Sequence, residues 1–259
     1  MITSGLVLPR KLDIDTVSLT SGYGKFVAEP FERGYGHTVG HSLRRILLSS
    51  LEGAAVTAVR VKGALHEFST IKGVREDVIN VILNLKQLRL KLFSPGPEIL
   101  RLRCKKSGEV KAKDIEANNN VEILVPDLFI ATLEPGAELD LEIEVSRGRG
   151  YLPSERIKKE GQPLGTIFID ALFSPVTKVQ YEVENARVGQ MTDYDRLILE
   201  IWTDGSVEPA GALAYAAQIL KDSLSVFIDF DGKEETQPAK EPVHDAGQSR
   251  IQELLGQSV

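Results

Sequence analysis

The residues best suited to metal chemistry are two histidines and two aspartates. His37 and His41 lie four positions apart, a spacing that places both on one face of a helix. Asp193 and Asp195 alternate, so on a strand their carboxylates point the same way. A metal centre needs further converging ligands, and no Cys, His or acidic motif supplies them. We therefore predict no metal site and no catalytic residue. His37 is expected to cap a turn or contact a partner, and the two aspartates to anchor a turn before a strand at 197–202.

Two glycine clusters could be mistaken for phosphate-binding loops. They are Gly-Tyr-Gly at 34–36 and Gly-Arg-Gly at 148–150. Neither has the spacing of a nucleotide-binding loop, and no Lys-Ser/Thr pair follows. We interpret them as turn glycines. Arg147 and Arg149 either hold an irregular loop over 147–165 or contact a large partner.

The adjacent Arg44 and Arg45 are candidates for protein contact. Neighbouring positions on a helix differ by about 100°, so at least one of the two guanidinium groups points away from the apolar stripe. Arginine is common in interfaces because its planar fork binds carboxylates and carbonyls bidentately. Composition alone favours ordinary solvated arginines.

Composition is that of a globular chain: 259 residues, 42% hydrophobic, 26% charged, with a formal net charge of -6. This acidic balance argues against a main body that grips DNA, because such domains usually carry a basic face. One cluster of cations is either a local patch or, as we favour, the solvated side of strands and turns. Its members are Lys86, Arg89, Lys91, Arg101, Arg103, Lys105, Lys106, Lys111 and Lys113.

The only cysteine, Cys104, excludes a disulfide framework. The apolar run near the N-terminus is too short for a signal peptide or a membrane span. We therefore expect a cytoplasmic protein.

The periodicity predicts an α+β fold. Helical spacing of apolar residues predicts helices over 38–51, 74–85 and 209–227, whereas 88–145 reads as short alternating strands. The last helix either simply covers its own sheet or, because it is apolar on more than one face, has two partners, of which one is the sheet and a second copy of the chain is a candidate for the other. Gly40 provides a small surface that would let a second helix come close.

Five blocks of sequence closely resemble the N-terminal domain of the bacterial RNA polymerase alpha subunit. They cover most of residues 10–230 and are EPFERGYGHTVGHSLRRILLSS at 29–50, GALHEFST at 63–70, EDVINVILNLK at 76–86, FSPVTKVQY at 173–181 and DYDRLILEIWTDG at 193–205.

The resemblance implies two subdomains. A dimerisation subdomain, a sheet with two packed helices, is expected from 1–52 and 180–231, with a β-rich subdomain inserted at 53–179. The polar composition of 232–259 indicates a flexible linker. In the family this linker leads to a C-terminal DNA-binding domain, which we expect to be missing from this chain.

The resemblance also implies the partners and their contacts. The chain is expected to form a homodimeric scaffold for the β and β′ subunits of DNA-directed RNA polymerase, with no membrane partner. The β contact would use Arg33, Arg44, Arg45 and Leu48, and the β′ contact Lys86 and Phe173. The dimer contact would use Tyr35, Val39, Leu43, Ile46, Leu47, Leu213, Leu220, Leu224 and Phe227. DNA and activators would be reached only through the C-terminal domain. No cofactor is expected on this chain, and magnesium and zinc are expected on the large subunits.

Two other functions compete with the scaffold. A free-standing nucleotide-handling enzyme would bind ligand by itself, yet the sequence has no nucleophile with an adjacent base and no ligand cluster. A sequence-specific DNA-binding module conflicts with the acidic balance, and a salt-dependent gel shift would support it.

Overall fold

A computed structural model describes residues 6–116, 118–158, 161–188 and 191–228. The chain divides into two compact units, one ending at Asp222 and one beginning at Ser223. The predicted linker at 232–259 lies outside the described residues. The domain boundaries expected from the resemblance stay a prediction.

Strands are the commonest regular structure of the first unit. In chain order they are β1 (Leu12–Ile14), β2 (Tyr23–Phe31), β3 (Glu52–Val61), β4 (Leu90–Leu92), β5 (Glu98–Cys104), β6 (Gly108–Lys111), β7 (Val121–Ile123), β8 (Phe129–Leu133), β9 (Leu139–Arg149), β10 (Tyr151–Leu152), β11 (Thr166–Phe168), β12 (Ala171–Leu172), β13 (Val176–Val188) and β14 (Met191–Thr203).

The helices are α1 (Tyr35–Ser49), α2 (Val78–Leu85), α3 (Ser154–Ile157) and α4 (Pro209–Ile228), with a 3-10 turn at Ala112–Asp114. The predicted α+β class is confirmed. Two helix starts were predicted wrongly. α1 begins three residues earlier than expected, and α2 begins four residues later, because Val74 forms a β-bridge with Leu133 instead.

One core lies under a four-stranded antiparallel sheet of order β1-β2-β14-β13. Alternation sends every second side chain of a strand to the same face, and α1 and the first part of α4 pack on that face. The buried residues of this core are Phe26, Leu43, Leu47, Leu51, Val176, Val179, Leu199, Ile201, Ala212, Leu213 and Ala216. The sheet therefore forms a rigid base for α1.

A second core lies between α2 and the sheet of order β11-β3-β9-β5, with the short pairs β4-β7 and β6-β8 around it. β9 alternates as predicted, with Leu139, Leu141, Ile143 and Val145 buried and the residues between them partly exposed. A smaller cluster joins Ala55, Ala171 and Phe173.

Several cations of the predicted cluster lie beside acidic residues on the outer side of these strands. Arg101 lies 3.6 Å from Glu142, and Arg103 lies 3.5 Å from Asp140 on the neighbouring strand. Such exposed pairs contribute little stability. The arrangement supports the interpretation as a solvated strand face rather than a nucleic-acid patch.

Candidate protein-interaction surface

Helix α1 starts at a turn that contains no capping side chain of its own. Gly34 occupies the N-cap position with φ +86°, and the first turn has no acidic residue. The cap comes instead from Asp195 on β14, whose Oδ2 accepts the backbone N–H of Gly34 at 2.8 Å and of Gly36 at 3.1 Å. A carboxylate satisfies exposed backbone donors and is stabilised by the positive end of the helix.

Sequence reasoning placed this aspartate wrongly. Asp193 and Asp195 lie inside β14 and not in a turn before a strand at 197–202. Asp193 is exposed, whereas Asp195 is 7% exposed. The alternation of Asp195 with the buried Leu197 is the signal that could have revealed its inward direction.

Two glycines allow α1 to lie directly on the sheet. A Cβ on Gly36 would come within 3.0 Å of Asp195 Cβ, and a Cβ on Gly40 would lie 2.8 Å from both Leu197 Cδ1 and Tyr181 Cδ2. The small surface at Gly40 therefore accommodates the sheet, and the expectation that it admits a second helix was wrong. Of the predicted turn glycines, Gly36 lies in a helix and Gly148 in a strand.

The arginines of α1 and its preceding turn differ in their surroundings. Arg33, Arg44 and Arg45 are all exposed, and Leu48 is half-buried. Arg44 Nε donates to the carbonyl of Val179 at 3.3 Å, so the fold itself uses this side chain. Among the described residues, no carboxylate lies within ion-pair distance of Arg33 or Arg45.

The residues predicted for the dimer contact fall into two groups. Leu43, Leu47 and Leu213 are at most 9% exposed and pack in the core of the protomer, where they offer almost no surface to a second copy. Val39, Ile46 and Leu220 are partly buried against the same core. The exposed members are Tyr35 at 46% in the first unit, and Leu224 at 50% and Phe227 at 75% in the second. The dimer assignment stays a prediction.

The two residues predicted for the β′ contact also differ. Lys86 is exposed, and its Nζ lies 3.6 Å from Asp170 Oδ2. The backbone N–H of Ser154 donates to the Asp170 carboxylate at 2.9 Å and, with smaller help from Lys86, lowers the pKa of Asp170. Phe173 is 3% exposed and lies in the core, so the exposed Leu172 beside it presents more surface.

His37 and the second pair of arginines make contacts within the fold. His37 lies edge-on to Tyr181, with ring centroids 6.2 Å apart. The described residues contain no group of three His, Cys, Asp or Glu side chains placed to hold a metal. Arg147 Nε donates to the carbonyl of Leu92 at 3.0 Å, and Arg149 Nε to Glu52 at 3.0 Å, so both brace strands rather than a loop.

No helix in the described part of the chain is long and apolar enough to cross a membrane. The fold and surface define an α+β protein with exposed arginines on α1 and on the turn before it. Comparison with known proteins then identifies the family.

Residues 59–174 match the family described as the RNA polymerase Rpb3/RpoA insert domain. Proteins named DNA-directed RNA polymerase subunit alpha are similar over most of the chain. The one from Geobacter metallireducens is 55% identical over 98% of this chain and 74% of its own length. Those from Pelobacter propionicus and Nitratidesulfovibrio vulgaris are 53% and 54% identical, over 91% and 88% of this chain and 69% and 66% of their own lengths. The chain belongs to the family of bacterial DNA-directed RNA polymerase alpha subunits.

Proposed function

We propose that this chain is a homodimeric scaffold on which the β and β′ subunits of RNA polymerase assemble. The observation that carries the proposal is the exposed Arg45 on a helix fixed rigidly to its sheet, with no carboxylate of the described residues within ion-pair distance. A rigid, exposed guanidinium is ready to bind a partner's carboxylate or carbonyl groups. The β contact would extend to Arg33 on one side and Leu48 on the other.

Arg44 has a different part in this contact. Its Nε already donates to Val179, so it anchors α1 to the sheet beside Arg45. A side chain that is held in place before binding loses less conformational entropy when the partner arrives. Arg44 thus supports the surface that Arg45 presents.

The dimer would use the apolar side chains that the protomer leaves exposed. Tyr35 and Tyr215 are each 46% exposed in the first unit. In the second unit, Leu224, Val226, Phe227 and Ile228 are each at least half exposed. Within each unit, large apolar side chains exposed in this way are typical of interaction sites, and a two-fold contact between identical copies would bury them.

A dimer of identical chains that binds two different large subunits must use its copies asymmetrically. In one copy, Arg33 and Arg45 would contact β. In the other, the surface around Lys86 and Leu172 would contact β′. The acidic Asp170 orients Lys86 toward this surface.

As an alpha subunit, the chain belongs to a nucleotidyl-transferring complex without being the catalytic subunit. We propose that the large subunits bind the magnesium and zinc of the enzyme. Because a subunit of the transcription enzyme works where the DNA is, we also propose that the chain functions in the cytoplasm, at the nucleoid. DNA and activators would be reached by a further C-terminal domain. The family membership gives no support to a free-standing nucleotide-handling enzyme.

Native mass spectrometry tests the scaffold directly. The purified chain should be a dimer alone and should give two alpha chains per β in a mixture. Arg45→Ala should leave the dimer and the thermal midpoint unchanged and weaken β capture at least about tenfold, since an interface arginine of this kind contributes more than about 1 kcal/mol.

Arg156→Ala is the matched control, because Arg156 is also an exposed arginine on a helix but lies on α3. It should bind β like the unchanged chain. A monomer that ignores β would overturn the scaffold. An Arg45→Ala chain that binds β normally would overturn the surface assigned here.

A further inference from the structure

The start of α1 depends on one side chain from a distant part of the sequence. Gly34 offers no capping side chain, and the first turn contains no acid. The backbone N–H of Tyr35 donates to the nearby carbonyl of Glu32 at 3.0 Å, whereas those of Gly34 and Gly36 need an acceptor from elsewhere in the fold. Asp195, 161 residues further along, accepts both through a single oxygen. At 7% exposure it lies almost out of water, where hydrogen bonds to a carboxylate are strong.

The packing leaves the helix start little freedom. Gly36 is buried, and a Cβ there would lie 3.0 Å from Asp195 Cβ and 3.0 Å from Val183 Cγ1. One helical turn later, Gly40 contacts Leu197, which follows Asp195 on the same face of β14. The helix is thus held on β14 at two points, a hydrogen-bonded one at its start and an apolar one a turn later.

Arg33 lies between the end of β2 at Phe31 and the capped Gly34. Since the carboxylate fixes the backbone N–H that follows Arg33, it also fixes the direction in which Arg33 leaves the backbone. Arg45 lies about 15 Å along the helix from Tyr35 and is held by the buried Leu43 and Leu47 beside it. The two arginines therefore depend on different supports.

We propose that Asp195 is a positioning residue that orients Arg33 for the β contact, without touching β itself. This rests on the proposed function. Replacing the carboxylate by a neutral acceptor would weaken its hydrogen bonds to the N–H groups of Gly34 and Gly36 and loosen the turn, while the apolar support of Arg45 remains. The effect of Asp195 on β capture should pass through Arg33 and not through Arg45.

A double-mutant cycle on the full chain separates these routes, because coupled residues give non-additive changes and independent residues give additive ones. Asp195→Asn should weaken β capture about tenfold, in the range of a lost interface arginine. Adding Arg33→Ala to it should weaken capture by less than about twofold more, whereas adding Arg45→Ala should give the full loss seen for Arg45→Ala alone.

Hydrogen exchange gives a readout that does not need β. The amides of Gly34 and Gly36 should exchange at least about tenfold faster in Asp195→Asn, with exchange in β9 unchanged. Asp193→Asn is the control, because Asp193 is on the same strand but exposed, and it should change neither measurement. If Asp195→Asn does not fold, Asp195→Ser, which keeps a short acceptor, replaces it in the same cycle.

The outcomes distinguish the two proposals. If Arg33→Ala and Arg45→Ala both bind β normally, the β surface of the proposed function is wrong. If both weaken capture but Asp195→Asn adds fully to Arg33→Ala, or the two amides keep their protection, the positioning role of Asp195 is overturned. Non-additivity with Arg33 together with additivity with Arg45 supports it.

Discussion

Gly40 of α1 lies so close to Tyr181 of β13 that a Cβ at position 40 would be 2.8 Å from the Tyr181 ring. The same Cβ would lie 2.8 Å from Leu197, which is 3% exposed and has little room to move. Real Cβ atoms do not approach other atoms so closely, so the absence of a side chain sets the distance between helix and sheet. The exposed face of α1, with its arginines, takes its position from this contact.

Gly40→Ala is therefore expected to destabilise the protein, although alanine is the better helix former. The helical preference of alanine is worth about 1 kcal/mol. Overpacking against a fixed ring and a buried leucine costs about 1–3 kcal/mol, and the shift of α1 adds to this cost. Urea unfolding of the unchanged chain and of Gly40→Ala, compared at the same m-value, should show a lower free energy of unfolding for the variant.

Gly211→Ala in α4 is the matched control, because a Cβ there would meet no atom within 4 Å. Here only the helical preference acts, so we expect a gain of up to about 1 kcal/mol. Similar changes at the two positions would show that close packing does not determine the effect at Gly40.

The local sequence pattern predicted helix α1 but not the residue that caps it. The spacing of Leu43 and Leu47 predicts a helix with one buried face, because burial on a helix repeats with its turn. The cap of that helix could not be predicted, because its acceptor, Asp195, is 161 residues away and meets Gly34 only once the sheet has formed. This is also why the predicted start of α1 was late.

The pattern likewise shows which side chains are apolar but not what covers them. Leu47 and Phe227 both lie on apolar stripes, yet Leu47 is fully buried and Phe227 is 75% exposed. The difference comes from tertiary packing, which a single sequence does not give. The same holds for Phe173, because the motif that contains it does not indicate whether its side chain is buried.

The main effect of Phe173→Ala should be a loss of stability. Phe173 is 3% exposed and fills the space beside Gly148, where its Cδ2 lies 2.6 Å from the position of a Cβ. Removal of such a ring costs about 3–5 kcal/mol. Leu172→Ala, at a 67% exposed neighbour, should stay within about 0.5 kcal/mol in urea unfolding. If Phe173→Ala instead changes stability only slightly but abolishes β′ binding, Phe173 contacts β′ directly.

Asp170→Asn should change how the free energy of unfolding depends on pH. The backbone N–H of Ser154 lowers the pKa of Asp170, and Lys86 contributes in the same direction. A lowered pKa in the folded state means that the ionised group stabilises the fold above its unfolded pKa of about 3.9, and that this is lost as pH falls through the folded pKa.

The variant should therefore be less stable than the unchanged chain at neutral pH and equal to it in strong acid. The difference should be below about 1 kcal/mol, since the Asp170 side chain is 37% exposed and solvent screens its charge. Urea midpoints measured across the acid range would show it. A gap that persists below the folded pKa would mean that charge is not its source.

Phe227→Lys tests which apolar surface would hold two copies together in the proposed dimer. Phe227 is 75% exposed, so the protomer loses little when it is replaced, and a lysine near the end of a helix suits the helix dipole. In a dimer the same lysine would bury its charge against a second copy, and the dissociation constant should rise by about a hundredfold, the change that some 3 kcal/mol produces. Sedimentation across a dilution series measures it.

Leu172→Lys is the control, because Leu172 is also exposed and apolar but lies outside the proposed dimer surface. It should dimerise normally. If Phe227→Lys remains a dimer at every dilution while Leu172→Lys dissociates, the copies meet at the inserted strands and not at α4. Leu43, Leu47 and Leu213 are already covered within the protomer, so their burial cannot drive the association, whereas burial of the exposed side chains of α4 would favour it.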